Sequence, residues 1–130
     1  MRTLLCLAAA AALAAAPLAT SRAQNAPFAG GGQAATDPAV KKLEAAAAKL
    51  EKELKARPKD AALRNRVAEA YYQAGHTMML SDKLGPRVKY RGALKHFRTA
   101  LSLNPKHAKA AAEKKTIEDI YKSMGRPVPN

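Results

Sequence analysis

The strongest candidates for catalysis or metal binding in this 130-residue chain are its three histidines, its one cysteine and its one adjacent pair of carboxylates. His76, His96 and His107 are not at the spacing of three or four that places two metal ligands on one face of a helix. Glu118 and Asp119 are consecutive, and consecutive helical residues point about 100° apart, so they are poorly placed to act as an acid–base pair. The sequence therefore predicts no catalytic residue, no metal site and no cofactor, and we expect a protein that is not an enzyme.

The glycine run and the single cysteine add no catalytic signal. Gly30–Gly32 precedes no predicted strand, so it lacks the context of a phosphate-binding loop. Cys6 follows Leu5, where a lipoprotein would have a small residue, and it lies too near the start for an apolar segment to precede it. We expect Cys6 to be removed with a signal peptide, which would leave a mature chain without a disulfide or a thiolate ligand.

Residues 1–23 have the layout of a secretory signal peptide. An apolar, alanine-rich stretch follows Arg2, and Ser21 and Ala23 place small residues where signal peptidase requires them. We expect cleavage after Ala23, export to the periplasm or the exterior, and no membrane span in the mature chain. The alternative is an uncleaved membrane anchor, against which Pro17 and the high alanine content argue.

The chain is strongly basic, with 23 lysines and arginines against 10 aspartates and glutamates. Removal of residues 1–23 would leave a net charge of about +11. Such a charge favours contact with polyanions such as anionic lipid, cell-wall polymer or nucleic acid, through an attraction that salt weakens. Only Tyr90, between Lys89 and Arg91, is an aromatic residue placed among basic ones, which argues against dedicated nucleic-acid recognition. Charge-driven adhesion to an envelope polyanion is therefore the alternative function.

Capping residues and apolar spacing divide the rest of the chain into four predicted helices. Asp37 and Asp60 are predicted N-caps, and Gly125 is a predicted helix end. The predicted elements are a flexible linker at 24–36, helices at about 38–57, 61–80, 87–103 and 106–124, and a tail at 126–130. No segment alternates with a period of two. We expect an all-α domain over residues 37–125, built of antiparallel helix hairpins.

One helical motif occurs twice, 47 residues apart. Its two copies are Leu50, Leu54 and Pro58, and Phe97, Leu101 and Pro105. The residues between and around them follow a pattern of small, aromatic and glycine positions: Val67, Ala68, Tyr71 and Gly75 in one helix, then Ala93, Phe97, Ala100 and Pro105 in the next. Together these residues resemble the tetratricopeptide repeat, a helix–turn–helix unit of about 34 residues.

The resemblance implies an interaction module that binds a protein or peptide on the exposed face of the first helix of the unit. The groove positions of the family fall on Asn65, Glu69, Tyr72 and Gln73, which share one helical face. Tyr71 is expected in the core, whereas Tyr72 is expected to point away from it and to offer its ring to a partner. The other interpretation of these four residues is an ordinary solvated face.

The chain departs from the family by about 13 extra residues, roughly His76 to Tyr90, between the two helices of the unit. The insert predicts an enlarged inter-helix connection, either a longer hairpin or a binding loop, and Gly75 is a predicted weak point of the helix before it. Only one complete unit is present, so the flanking helices must cover it, and self-association into a homo-oligomer stays open. The function that we expect is that of an exported, non-catalytic scaffold.

Overall fold

A computed structural model describes residues 36–130, in which each helix packs against the next along the chain. The helices are α1 (Pro38–Ala56), α2 (Ala61–Leu80), α3 (Pro86–Leu103) and α4 (Ala108–Ser123). No β-strand occurs in this range, so the predicted all-α fold is confirmed. Within the same range, no helix is long and apolar enough to span a membrane. The predicted signal peptide (1–23) and all of the predicted linker except residue 36 lie outside the described residues.

Aspartate caps fix the beginnings of the first two helices. Asp37 accepts a hydrogen bond from the backbone N–H of Ala39, and Asp60 accepts one from Leu63, each at 2.9 Å. Asp37 also accepts from the hydroxyl of Ser81 at 2.6 Å, which ties the start of α1 to the loop after α2. The Ser81 hydroxyl, and then the Ala39 N–H, hold the pKa of the Asp37 carboxyl below its ordinary value.

Helix α4 begins at a histidine cap that the sequence did not indicate. The Nδ1 atom of His107 accepts from the backbone N–H of Ala110 at 3.2 Å, and the helix starts at Ala108. We expected a start at about Lys106, because imidazole is not among the favoured N-cap side chains. A neutral ring that accepts at Nδ1 carries its proton on Nε2, so the Nε2 atom of His107 is a donor.

Helices α2 and α3 approach each other closely at Gly75. Ala68, Ala93 and Phe97 are fully buried around this contact. A Cβ atom placed on Gly75 would lie 2.8 Å from Cε1 of Phe97, so only glycine fits there without displacement. Helix α2 continues through Gly75 to Leu80, as predicted, and the close contact with Phe97 gives this glycine a packing role.

Most of the predicted repeat-core residues lie in the core. The buried ones are Leu54, Val67, Ala68, Gly75, Ala93, Phe97 and Ala100. Leu50 and Tyr71 are half-buried, and Leu50 packs beside the cluster of Leu54, Leu63 and Val67 that joins α1 to α2. Pro105 is exposed, so its prediction as a core residue is wrong. It lies just after Asn104, the C-cap of α3, and marks the end of that helix.

The insert at roughly His76 to Tyr90 lengthens both helices and leaves a short loop. Helix α2 continues to Leu80 and α3 begins at Pro86, so the connection is residues 81–85 alone. Leu84 in this loop is 2% exposed, which shows that the loop is packed against the domain. The structure matches the predicted alternative of a longer hairpin, with α2 reaching Leu80 as predicted and α3 beginning one residue earlier than predicted.

The residues after α4 turn back onto the helices. Gly125 has φ +63°, the Gly125 N–H donates to the Lys122 carbonyl at 2.9 Å, and the Arg126 N–H donates to the Tyr121 carbonyl at 3.0 Å. This pair of hydrogen bonds is the Schellman motif, which reverses the chain at a glycine. The reversal places half-buried Val128 against the core, so the predicted tail is part of the packed structure.

Candidate functional site

The four predicted partner-binding residues lie on α2 but not in one environment. Asn65, Glu69 and Gln73 are exposed, whereas Tyr72 is only 5% exposed and belongs to the main core cluster. The prediction that Tyr72 offers its ring to a partner is wrong. Tyr71, which we expected to be the core tyrosine of the pair, is the more exposed of the two.

Helix α4 and its cap cover Tyr72. The ring centroid of Tyr72 lies 4.9 Å from that of His107, 5.7 Å from that of His76 and 6.1 Å from that of Phe97. Its hydroxyl donates to Oε1 of Glu113 at 3.0 Å. Burial, and then this hydrogen bond to a carboxylate, raise the pKa of Tyr72 to about 12. Tyr72 therefore connects α2 to α4 and is not available to a partner.

Two histidine–glutamate pairs join α2 to α4, one helical turn to each side of Tyr72. The Nδ1 atom of His76 lies 2.9 Å from Oε1 and 3.0 Å from Oε2 of Glu113. The Nε2 atom of His107 donates to Oε2 of Glu69 at 3.0 Å. We call Glu69, Tyr72, His76, His107 and Glu113 the α2–α4 network. Within residues 36–130, no group of three or more histidine, cysteine, aspartate or glutamate side chains is arranged to hold a metal ion.

A second tyrosine and the third histidine make a similar connection from α1. The hydroxyl of Tyr71 donates to Glu51 at 2.5 Å, and His96 lies 2.8 Å from Glu44. The Tyr71 and His96 rings stack with their centroids 5.9 Å apart. Burial, and then the bond to Glu51, raise the pKa of Tyr71 to about 12. Each histidine of the described chain thus pairs with a glutamate on another helix.

The exposed side chains beside the α2–α4 network form a polar surface whose parts hold one another in place. The Gln73 amide donates to Oε1 of Glu69 at 2.7 Å. This hydrogen bond, with a smaller contribution from His107 and the positive charge of Lys109, holds the pKa of Glu69 below its ordinary value. We define the α2–α4 face as the exposed residues Asn65, Glu69, Gln73 and Lys109.

Helix α3 is strongly basic, whereas the α2–α4 face carries one acidic and one basic residue. The helix carries five basic residues and no acidic one between Pro86 and Leu103. Four of them, spaced by four, four and three residues, share one helical face and form what we call the α3 basic stripe: Arg87, Arg91, Lys95 and Arg98. None of these four forms an ion pair with another described residue. The spacing of these four residues can be recognised in the sequence. The lack of acidic partners from other helices cannot, because it depends on how the helices pack.

Comparisons with protein-family models, with curated proteins and with solved structures gave no match. The features that carry a functional proposal are therefore this chain's own: the α2–α4 face, with its fixed polar side chains, and the α3 basic stripe.

Proposed function

We propose that the protein is an exported, non-catalytic scaffold of tetratricopeptide type that binds a protein or peptide partner on the α2–α4 face. One observation carries the proposal. Glu69 is held by both Gln73 and His107, so neighbouring side chains on α2 and at the start of α4 are already ordered at the surface. An ordered surface loses less conformational entropy when a partner binds.

The chemistry of the α2–α4 face suits a peptide better than a polyanion. Asn65 and Gln73 offer amide donors and acceptors, Glu69 offers a carboxylate, and Lys109 offers an ammonium group. Peptide backbones and polar side chains present both donors and acceptors, whereas a polyanion presents acceptors alone. The mixture of groups on this face therefore favours a peptide or a polar protein surface.

The export part of the proposal depends on the pattern of residues 1–23. It predicts that the protein recovered from the cell envelope or the medium begins at Gln24, which intact-mass measurement can establish. A chain recovered from the cytoplasm with Met1 still present would contradict export.

A matched pair of substitutions tests the binding face. Gln73→Arg adds one positive charge and a larger side chain on the α2–α4 face, and Ala48→Arg adds the same charge at an exposed position of α1. A partner captured from envelope extract at about 150 mM salt is purified, and its affinity for each variant is measured by calorimetry. We expect Gln73→Arg to weaken binding about tenfold or more and Ala48→Arg to change it less than about twofold. Equal effects of the two variants would contradict binding on this face.

The α3 basic stripe supports a second candidate, charge-driven adhesion to an envelope polyanion. Its four unpaired basic residues give a local excess of positive charge with no acidic residue on the same helix. Polyanion binding of this kind falls steeply between about 50 and 200 mM salt. Retention by the envelope that disappears over that range, together with no discrete partner at about 150 mM, would favour adhesion over the scaffold.

A further inference from the structure

The chain reversal at Gly125 completes a cavity that lies apart from the residues of the α2–α4 face. Its volume is about 540 Å³, and its lining includes Arg87 and Arg91 of α3, Arg126, and half-buried Val128. Three arginines from two separate segments thus meet in one concave surface. The Schellman motif that positions Arg126 also places Val128, so the cavity is produced by the fold of the C-terminal residues.

A neighbouring groove of about 480 Å³ extends this cavity along α3. It shares Arg87 and Arg91 with the cavity and adds Val88 and Lys95. Val88 is one of two large apolar residues that the described surface exposes, at 44%. The two arginines therefore lie between two concavities, and each concavity offers an apolar side chain next to a guanidinium group.

The lining of the two concavities carries more positive than negative charge. Neither concavity is lined by an aspartate or glutamate from residues 36–130, and Arg87 and Arg91 form no ion pair there. Asn130, the last residue, lines both concavities, so its terminal carboxylate offsets one of the positive charges and leaves a net positive charge on the lining. Like charges held close together repel, so a bound anion would stabilise the arrangement. Guanidinium groups match the oxygens of phosphate in paired hydrogen bonds, and arginine is the residue most used for that purpose.

We propose that these concavities form a binding site for an organic phosphate monoester. The phosphoryl group would lie between Arg87 and Arg91, close to Arg126, and the organic part would rest on Val88 or Val128. The site is independent of the α2–α4 face, so it stands whether or not a protein partner binds there. It also differs from adhesion by charge, because it predicts one site of fixed stoichiometry.

Calorimetry with phenyl phosphate at about 150 mM salt tests the proposal on the purified protein. We expect one site per chain, binding weakened about tenfold by Arg91→Gln and by Arg87→Gln, and a change below about twofold for Arg66→Gln. Arg66 is an exposed arginine of α2 outside both concavities, so its variant removes the same charge elsewhere. Thermal unfolding of each variant establishes that the fold is retained.

Three further probes separate the chemistry and the source of the ligand. Inorganic phosphate should bind more weakly than phenyl phosphate, because it lacks the part that contacts the valines. Benzoate, with one charge, should also bind more weakly. Vesicles of phosphatidylcholine with phosphatidic acid, tested with the same variants, assign the source. Binding that is lost with Arg87→Gln and with Arg91→Gln but kept with Arg66→Gln indicates a lipid headgroup, and absence of binding to the vesicles indicates a soluble ester. Equal losses for Arg66→Gln and Arg91→Gln with phenyl phosphate, or no saturable site for it, would overturn the proposal.

Discussion

Helix α2 makes contacts of opposite kinds with its two later neighbours. Toward α3 it presents Gly75, whose missing side chain allows contact with the buried ring of Phe97. Toward α4 it presents Tyr72, whose hydroxyl reaches the Glu113 carboxylate at 3.0 Å. The first contact is apolar and close, and the second combines ring packing with hydrogen bonds between side chains.

The two contacts differ in a way that suggests different roles, one in the stability of the fold and one in recognition of a partner. At a close apolar contact, any added atom causes strain and any removed atom leaves a cavity. Changes at such a contact therefore lower the stability of the fold. The hydrogen bonds of Glu113 to Tyr72 and His76 are partly buried, and a hydrogen bond between side chains contributes only about 1 kcal/mol net. We infer that the α2–α3 contact stabilises the fold, while the α2–α4 contact positions the side chains that a partner would meet.

The largest loss of stability should come from removing the buried aromatic ring at the α2–α3 contact. Phe97→Ala removes a fully buried ring, so we expect a loss of about 3–5 kcal/mol in the free energy of unfolding. Leu80→Ala, at a side chain that is 64% exposed, should change it by less than about 0.5 kcal/mol. Urea denaturation measures both. Similar values for the two variants would show that Phe97 does not hold the helices together.

Substitutions at two glycines between α2 and α3, Gly75 and Gly92, should change the free energy of unfolding by less than Phe97→Ala does. Gly75→Ala forces a methyl group to 2.8 Å from Phe97, and we expect a loss of about 1–3 kcal/mol in the free energy of unfolding. A methyl group at Gly92 would meet only the flexible side chain of Met78, which can move. Gly92→Ala should therefore be neutral or stabilising by up to about 1 kcal/mol, since alanine favours a helix. The reverse order of stabilities would break the comparison.

The α2–α4 contact should respond less. Tyr72→Phe removes the hydroxyl that donates to Glu113 and keeps the ring, so we expect a loss of about 1 kcal/mol. The matched control is Tyr90→Phe, because the Tyr90 hydroxyl makes no hydrogen bond with the described residues. A loss for Tyr72→Phe as large as that for Phe97→Ala would remove the distinction between the two contacts.

Alkaline pH offers a separate test of the same tyrosine. The pKa of Tyr72 is raised to about 12 in the folded chain, against about 10 in an unfolded one. The folded state then binds more protons than the unfolded state between these values, so its stability is complete below pH 10 and falls as the pH rises toward 12. Tyr71 behaves in the same way. The free energy of unfolding, measured at intervals from pH 9 to 12, should fall less with rising pH for Tyr72→Phe than for the wild type.

The positions of the helices could be predicted because the signals for them are local. Asp37 and Asp60 cap helices through hydrogen bonds to residues two and three positions away, and Gly125 ends α4 with a positive φ. Each of these requires only the residue and its neighbours. The start of α4 was missed because His107 is a cap that local preferences do not favour.

The environments of Tyr71 and Tyr72 could not be predicted, since helices pack on both sides of α2. Spacing alone showed that the two side chains diverge by about 100°. Which one is more deeply buried depends on α4, whose His107 and Glu113 contact Tyr72 from 35 to 41 residues away. The pairing of His76 with Glu113 was hidden for the same reason.

A double-mutant cycle between Gly75 and Phe97 tests most directly the claim that their contact organises the fold. Phe97→Leu shortens the side chain that an added methyl group at Gly75 would meet. We predict that Gly75→Ala costs at least about 1 kcal/mol less in the Phe97→Leu background than in the wild type. Costs that are equal within about 0.5 kcal/mol in the two backgrounds would contradict the contact.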